Sequence, residues 1–332
     1  MKNKRIQLAI CIFAGLLLGL ATLIAGQNPP QTRPPAQNPP QTPPPNPNDP
    51  QYRLNVEVEL VNVTATVVDN SGRYLEGLAA NDFTVLEDGV PQKVAFFSHD
   101  RRVPVSLGIL IDTSGSMRYK LVQALETARE IVAALGANDE AFVMTFDSEV
   151  KLRQAFTRDP EEIRKALRDI RAGGETAAFD AIATGIRQLR TGKNDKKILL
   201  SVTDGFDTKS GIDSRGVEEI LKRAPVLLYA IGIDDDDADP STARRARYHI
   251  YHYMLNRLTS LTGGRAYRLF SSRNYALNSL AEALLEELHQ QYTLSYYPTS
   301  SRPDGGWREL EIRIDRPGSI RHRTGYYIGS TK

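Results

Sequence analysis

The chain has 332 residues, 41% hydrophobic and 25% charged, and its 42 Lys and Arg nearly balance 40 Asp and Glu for a formal net charge of +2. That length allows about two domains, and the composition is that of an ordinary globular protein. The near-neutral balance, five scattered His and the lack of RNP-like or zinc-finger spacing argue against a nucleic-acid partner.

The N-terminal segment departs from this average. Met1-Lys2-Asn3-Lys4-Arg5 is a short basic head, and Ile6 to Ala25 is almost wholly apolar. The pattern predicts a secretory signal peptide over residues 1–26. An uncleaved anchor is the alternative, since about 20 apolar residues can span a bilayer; membrane contact is then expected only through this segment. Loss of the segment takes the formal charge from +2 to −1. Cys11, the single cysteine, lies inside the apolar run, and Ile10 before it does not suit a lipoprotein signal. A cleaved chain therefore has neither a disulfide nor a thiolate metal site. The expected location is secreted, periplasmic or cell envelope.

Residues 27–50 hold eleven of the nineteen prolines, and Gln27-Asn28-Pro29-Pro30-Gln31-Thr32 recurs as Gln37-Asn38-Pro39-Pro40-Gln41-Thr42. Such a stretch builds no core and favours polyproline II, reaching about 75 Å at ~3.1 Å per residue. It reads as a spacer.

Residues 51–100 read as short strands. Val56, Val58 and Leu60 alternate with acidic residues, Val63, Ala65 and Val67 alternate with threonines, and Phe83 to Leu86 and Val94 to Phe97 follow. Asp69-Asn70-Ser71-Gly72 and Glu87-Asp88-Gly89 are turn signals. From Val103 the period changes. A strand over 103–111 precedes a helix carrying Leu121, Leu125, Ala128, Val132 and Leu135 on one face. A hairpin over 141–156 follows, then helices at 160–170 and 178–190. Strands at 197–203, 226–231 and 265–270 alternate with helices at 213–223, 250–262 and 273–289, the last with Leu277, Leu280, Leu284 and Leu288 in register. Strands alternating with helices predict a doubly wound, mostly parallel α/β sheet over 101–289.

After Gln290 strands return at Tyr292–Tyr297, Arg308–Ile314 and His322–Ile328. Three strands alone are marginal. Residues 290–332 are therefore expected to complete a β-sandwich of about seven strands with residues 51–100, so that the α/β domain is inserted into a discontinuous β domain.

The chemistry concentrates in Asp112-Thr113-Ser114-Gly115-Ser116, at the carboxyl end of the 103–111 strand, where ligands bind in open α/β sheets. Gly173-Gly174-Glu175-Thr176 and Thr203-Asp204-Gly205 fall at equivalent places. If the strands are parallel neighbours, Asp112, Ser114, Ser116, Thr176 and Asp204 converge on one rim. Hard oxygen donors so arranged suit a small hard cation.

These five residues, in this order, resemble the metal-ion-dependent adhesion site of the von Willebrand factor type A domain, which reads Asp-x-Ser-x-Ser, a distant Thr and a distant Asp. The resemblance covers about residues 103–289. The flanks, Asn81-Asp82-Phe83-Thr84-Val85-Leu86-Glu87-Asp88-Gly89 and Tyr292-Thr293-Leu294-Ser295-Tyr296-Tyr297-Pro298, are similar to those of a secreted bacterial branch termed "VWFA-related, acidobacterial". The resemblance implies a Rossmann-like A domain, a bound Mg²⁺ (with Mn²⁺ or Ca²⁺ as alternatives) held by Asp112, Ser114, Ser116, Thr176 and Asp204, and a protein ligand that offers an Asp or Glu to the cation. Two carboxylates and neutral hydroxyls leave the cation electrophilic, whereas four carboxylates would quench its demand for an outside oxygen. The expectation is an adhesion or assembly module and not an enzyme. A structural envelope protein whose metal only braces loops is the alternative.

Other polar features have plainer readings. Asp180 reads as a helix cap, and Asp207 as a loop residue near the rim. Asp234 to Asp239, offset by Arg244-Arg245-Ala246-Arg247, reads as a long solvated loop, with Ca²⁺ binding as its other reading. His249 and His252 read as helix-face residues, because zinc needs further ligands. Ser114 lies in no G-x-S-x-G elbow and no Walker loop is present, so neither hydrolysis nor ATP use is expected.

Overall fold

In a computed structural model, residues 60–99, 103–234, 242–270, 276–299 and 305–328 are described. They fall within one compact unit, Val56–Lys332. The basic head, the apolar run, the proline-rich stretch and residues 235–241 lie outside the described residues. Among the described residues, no helix is long and apolar enough to cross a membrane.

The first strands are β1 (Val61–Val68), β2 (Phe83–Glu87), β3 (Val90–Gln92) and β4 (Val94–Ser98). The α/β portion then runs β5 (Val105–Asp112), α1 (Leu121–Ala133), β6 (Glu140–Phe146), β7 (Val150–Thr157), α2 (Pro160–Ala166), α3 (Ala178–Leu189), β8 (Lys196–Thr203), α4 (Ser214–Arg223), β9 (Leu227–Asp234), α5 (Thr242–Thr262), β10 (Ala266–Phe270) and α6 (Ala276–His289). The chain closes with β11 (Tyr292–Tyr296), β12 (Trp307–Ile314), β13 (Ser319–His322) and β14 (Gly325–Tyr327).

The central sheet has the order β10-β9-β8-β5-β6-β7, parallel except for β7, which turns back on β6. Its inner strands are continuous apolar runs because both faces are covered. Alternate residues face opposite sides. Leu107, Ile109 and Ile111 of β5 pack with α1, α2 and α6, and Leu110 packs with α3, α4 and α5. Each such side chain fully buried contributes about 1.5–3 kcal/mol. Gly108 belongs to the second face: a Cβ there would stand 2.4 Å from Phe142 Cζ, so the phenyl ring fills the space that a side chain on β5 would need.

The flanking strands form two four-stranded sheets, β13-β1-β11-β4 and β14-β12-β2-β3. Each interleaves strands from before and after the α/β domain: β1 pairs with β11 and β13, and β12 pairs with β2. Their inner faces share one core of Val63, Ala65, Val67, Phe83, Val85, Tyr292, Leu294, Tyr296, Leu310 and Ile312. The doubly wound α/β fold inserted in a β-sandwich is therefore the architecture, with three differences of detail. The sandwich has eight described strands where about seven were expected: β3 is an extra short strand, the last segment gives two strands instead of one, and the alternation at Val56 and Val58 lies outside the described residues. The segment 322–328 divides at Arg323–Thr324, so that β13 and β14 serve different sheets. Finally, Arg244 to Arg247 belong to α5, which begins at Thr242, and not to a long loop.

One buried cluster links the two portions. Glu287 of α6 is fully buried and accepts hydrogen bonds from Tyr229 Oη at 2.8 Å, Tyr267 Oη at 2.9 Å and Tyr74 Oη at 3.4 Å. Arg321 of β13 completes it with an ion pair of 2.8 Å. Burial, with the charge of Glu287 beside it, holds the Tyr229 phenol well above its usual range.

Candidate metal centre

β5 delivers Asp112 to the carboxyl edge of the sheet with its side chain fully buried. A tight 3-10 turn, Gly115–Tyr119, carries the chain from there into α1. Within this turn the Asp112 carboxylate accepts from Ser114 N at 2.8 Å, and the Ser114 and Ser116 hydroxyls stand 3.1 Å apart. Ser116 Oγ donates to Asp204 Oδ1 at 2.7 Å. A continuous path of hydrogen bonds thus joins Asp112, Ser114, Ser116 and Asp204. Asp204 follows directly on β8, the parallel neighbour of β5.

The loop that precedes Thr176 is tied to the rim by backbone hydrogen bonds. Gly115 N donates to Gly174 O at 3.0 Å, and Gly173 N donates to Thr113 O at 2.8 Å. Gly174 can make this turn because its φ of +82° lies in the left-handed region. The buried Thr176 then fixes the loop after β8, its N–H donating to Thr208 Oγ1 and its carbonyl accepting from Thr208 N and Lys209 N.

Three residues that sequence patterns did not single out complete the geometry. Thr203 Oγ1 donates to Asp112 Oδ2 at 2.6 Å. Tyr251 of α5 donates from its hydroxyl to the Thr203 carbonyl at 2.9 Å, so Thr203 is held from both sides. Lys120 Nζ lies 2.7 Å from Asp204 Oδ2. Lys120 and Asp204 are 84 positions apart, and Tyr251 and Thr203 are 48 apart, so no local spacing announces either pair. Behind the rim a cavity of about 490 Å³ opens between α3, α4, α5 and the sheet, with Thr203, Phe206 and Tyr251 in its wall.

The plainer readings resolve as follows. Asp180 does not cap α3; its carboxylate accepts from Gly211 N and Ile212 N and ties down the loop after β8. The cap comes from that loop, where Asp207 Oδ2 accepts from Phe179 N at 2.9 Å. Asp234 pairs with His252 at 3.0 Å and with Arg268 at 3.2 Å, while His249 is exposed. Asp235 to Asp239 lie outside the described residues.

Burial drives the Asp112 carboxyl up to about 6, against the opposing hydrogen bonds from Thr203 and Ser114, and the charge of Asp204 adds to the rise. A carboxylate so placed gains from a cation beside it. Among the described residues, no three His, Cys, Asp or Glu stand together as a metal-binding group. Two carboxylates and flanking hydroxyls fit a hard divalent cation of the Mg²⁺, Mn²⁺ or Ca²⁺ type.

Residues 107–206 match the family model of the von Willebrand factor type A domain, and the chain carries a domain of that family. Such domains commonly bind a divalent metal and generally mediate protein–protein interactions. The chain is 31% identical over 143 residues to the uncharacterized protein sll0103 of Synechocystis sp., covering 41% of this chain and 34% of that protein. It is 23% identical over 203 residues to inter-alpha-trypsin inhibitor heavy chain H4 of Sus scrofa, covering 57% of this chain and 20% of that one. The chain thus spans about a third of the length of the first relative and a fifth of the second. Among solved structures, a von Willebrand factor type A protein from Catenulispora acidiphila is similar over 82% of this chain and 74% of its own, at 11% identity and a TM-score of 0.45.

Proposed function

We propose that the chain is an exported, divalent-cation-dependent protein-binding module of adhesion or assembly, with Asp112, Ser114, Ser116, Thr176 and Asp204 as the metal site. The observation that carries this reading is the linked set of Asp112, Ser114, Ser116 and Asp204 at the carboxyl edge of the parallel sheet. When bound, the cation supplies an electrophile whose oxygen shell a partner's Asp or Glu completes. The chain's own residues do the rest. Thr203 and the Ser114 N–H orient Asp112, and the Gly115–Gly174 bond holds the two turns together. Ser116 is exposed, so the rim is open to a partner on that side. Tyr119 (90% exposed) and Val122 (72% exposed) flank it, and an apolar fringe around a polar centre suits a protein ligand. No catalytic role is assigned: the Ser114 hydroxyl is paired with that of Ser116. The apolar run over 6–25 supports export, and the proline-rich stretch supports presentation away from a surface.

The test is a pull-down from envelope extract with wild type and Asp112→Ala, each in Mg²⁺ or EDTA. Capture only by wild type in Mg²⁺ is expected, with unchanged circular dichroism in the variant. A partner held equally in all four arms sinks the adhesion mechanism.

A second reading has its own support. β4 is an edge strand, and its exposed Phe96 packs edge-to-face on exposed Tyr297. In this reading the sandwich makes the contact and the cation only braces the rim. Mg²⁺ would then raise the melting temperature while partner binding ignored it.

A further inference from the structure

Lys120 sits at the N-cap of α1 with no side-chain cap of its own. This is an adverse place for a cation, because the helix N-terminus already carries partial positive charge. Its side chain turns away from the helix and reaches the rim, where Nζ stands 2.7 Å from Asp204 Oδ2 with the Lys120 side chain 8% exposed and that of Asp204 2% exposed. The other oxygen of Asp204 accepts from Ser116. One carboxylate of the rim is therefore shared between a hydroxyl that belongs to the candidate metal site and an ammonium that does not.

We propose that Lys120 is a built-in counter-cation that competes with the divalent metal for Asp204 and sets the metal affinity of the rim. The inference rests on the reading of this rim as a metal site. Two carboxylates and one ammonium present a net charge of about −1, not −2, to an incoming cation, in a place largely shielded from solvent. The cost is a weaker hold on the metal. The return is that Asp204 is partly neutralised from behind, so a bound cation keeps more of its charge for a partner's carboxylate. Lys120 touches neither partner nor reacting group in this scheme; it is a positioning and charge-setting residue acting through Asp204.

The test is isothermal titration of Mg²⁺ and Mn²⁺ into wild type, Lys120→Met, Lys120→Gln, Lys120→Arg and Asp112→Ala, with melting temperatures recorded without metal. Lys120→Met and Lys120→Gln are expected to bind metal about 10- to 100-fold more tightly than wild type. Lys120→Arg, which keeps the charge, is expected to stay near wild type, and Asp112→Ala to lose binding. A purely supporting role for Lys120 would lower the melting temperature and weaken metal binding together, and that outcome overturns the proposal. Equal affinity in wild type and in whichever neutral variant folds also overturns it, while leaving the metal site standing. Absence of binding in wild type and both neutral variants removes the metal site and the proposal with it.

Discussion

Asp112 is placed by more than its own turn. Thr203, at the end of the next strand, donates to its second oxygen at 2.6 Å in a fully buried setting. Thr203→Val keeps the shape and removes the donor, leaving a buried acceptor short of one partner. A loss of about 1–3 kcal/mol in urea denaturation is expected, with Thr203→Ser close to wild type. Lys196 offers a pH handle far from the rim. Its Nζ donates to the Leu288 carbonyl, and burial brings its pKa down from 10.5 to about 8, partly opposed by Asp139 and Glu287. Between pH 8 and 10.5 the unfolded chain therefore holds a proton that the folded chain has released, so stability from this group rises with pH across that window. The difference in unfolding free energy between wild type and Lys196→Met, measured from pH 7 to 11, should climb over that interval. A flat difference would show that Lys196 keeps its ordinary value in the fold.

At the scale of elements, α3 is capped by a residue 28 positions away, since Asp207 and not Ala177 accepts from the Phe179 amide of its first turn. Asp207→Ala should cost about 1 kcal/mol, as loss of a cap does, and should speed hydrogen exchange in the first turn of α3. This contact shows where reading the chain by pattern stops. Asp180 looked like the cap because it opens an apolar helical run; the capping side chain comes from a loop that only the fold brings near. The strands were plainer: Val61 to Val68 alternates, and the β5 run announces a strand buried on both faces. β3 escaped notice because it is three residues long and contains Pro91, which speaks against a strand. The start of α5 escaped because its arginines, beside an acidic run, look like loop. Asp112, Ser114, Ser116 and Asp204 were legible as residues at or just past strand ends, and Thr176 as one in a glycine-rich loop before a helix, all in a fixed order. Lys120, Thr203 and Tyr251 were not, because each earns its place through a partner distant in sequence.

The α/β and β portions are tied together at Glu287, where α6, β9 and β10 meet Tyr74 and β13. Glu287→Ala removes the acceptor for three phenols and the partner of Arg321, and a loss of about 3–5 kcal/mol is expected. The single tryptophan gives a more specific check. Trp307 lies on β12 with Lys222 of α4 over its ring, so its fluorescence follows the sandwich and its contact with α4, whereas far-UV circular dichroism follows chiefly the helices of the α/β domain. The two signals should melt together in wild type and separate in Glu287→Ala. Coincident melting in the variant would mean that other contacts couple the two portions.

The interleaving of early and late strands in both flanking sheets has a consequence for the order of assembly. β1 precedes the α/β domain in the chain, yet its neighbours β11 and β13 are made only after the last helix of that domain. The inserted domain has all its own strands before then and can fold while the chain is still being extended. The sandwich has to wait, with Val63, Ala65 and Val67 uncovered, and closes by long-range pairing of the kind that folds slowly. The first of the described strands is thus among the last to be buried, and through that interval it needs protection from other chains.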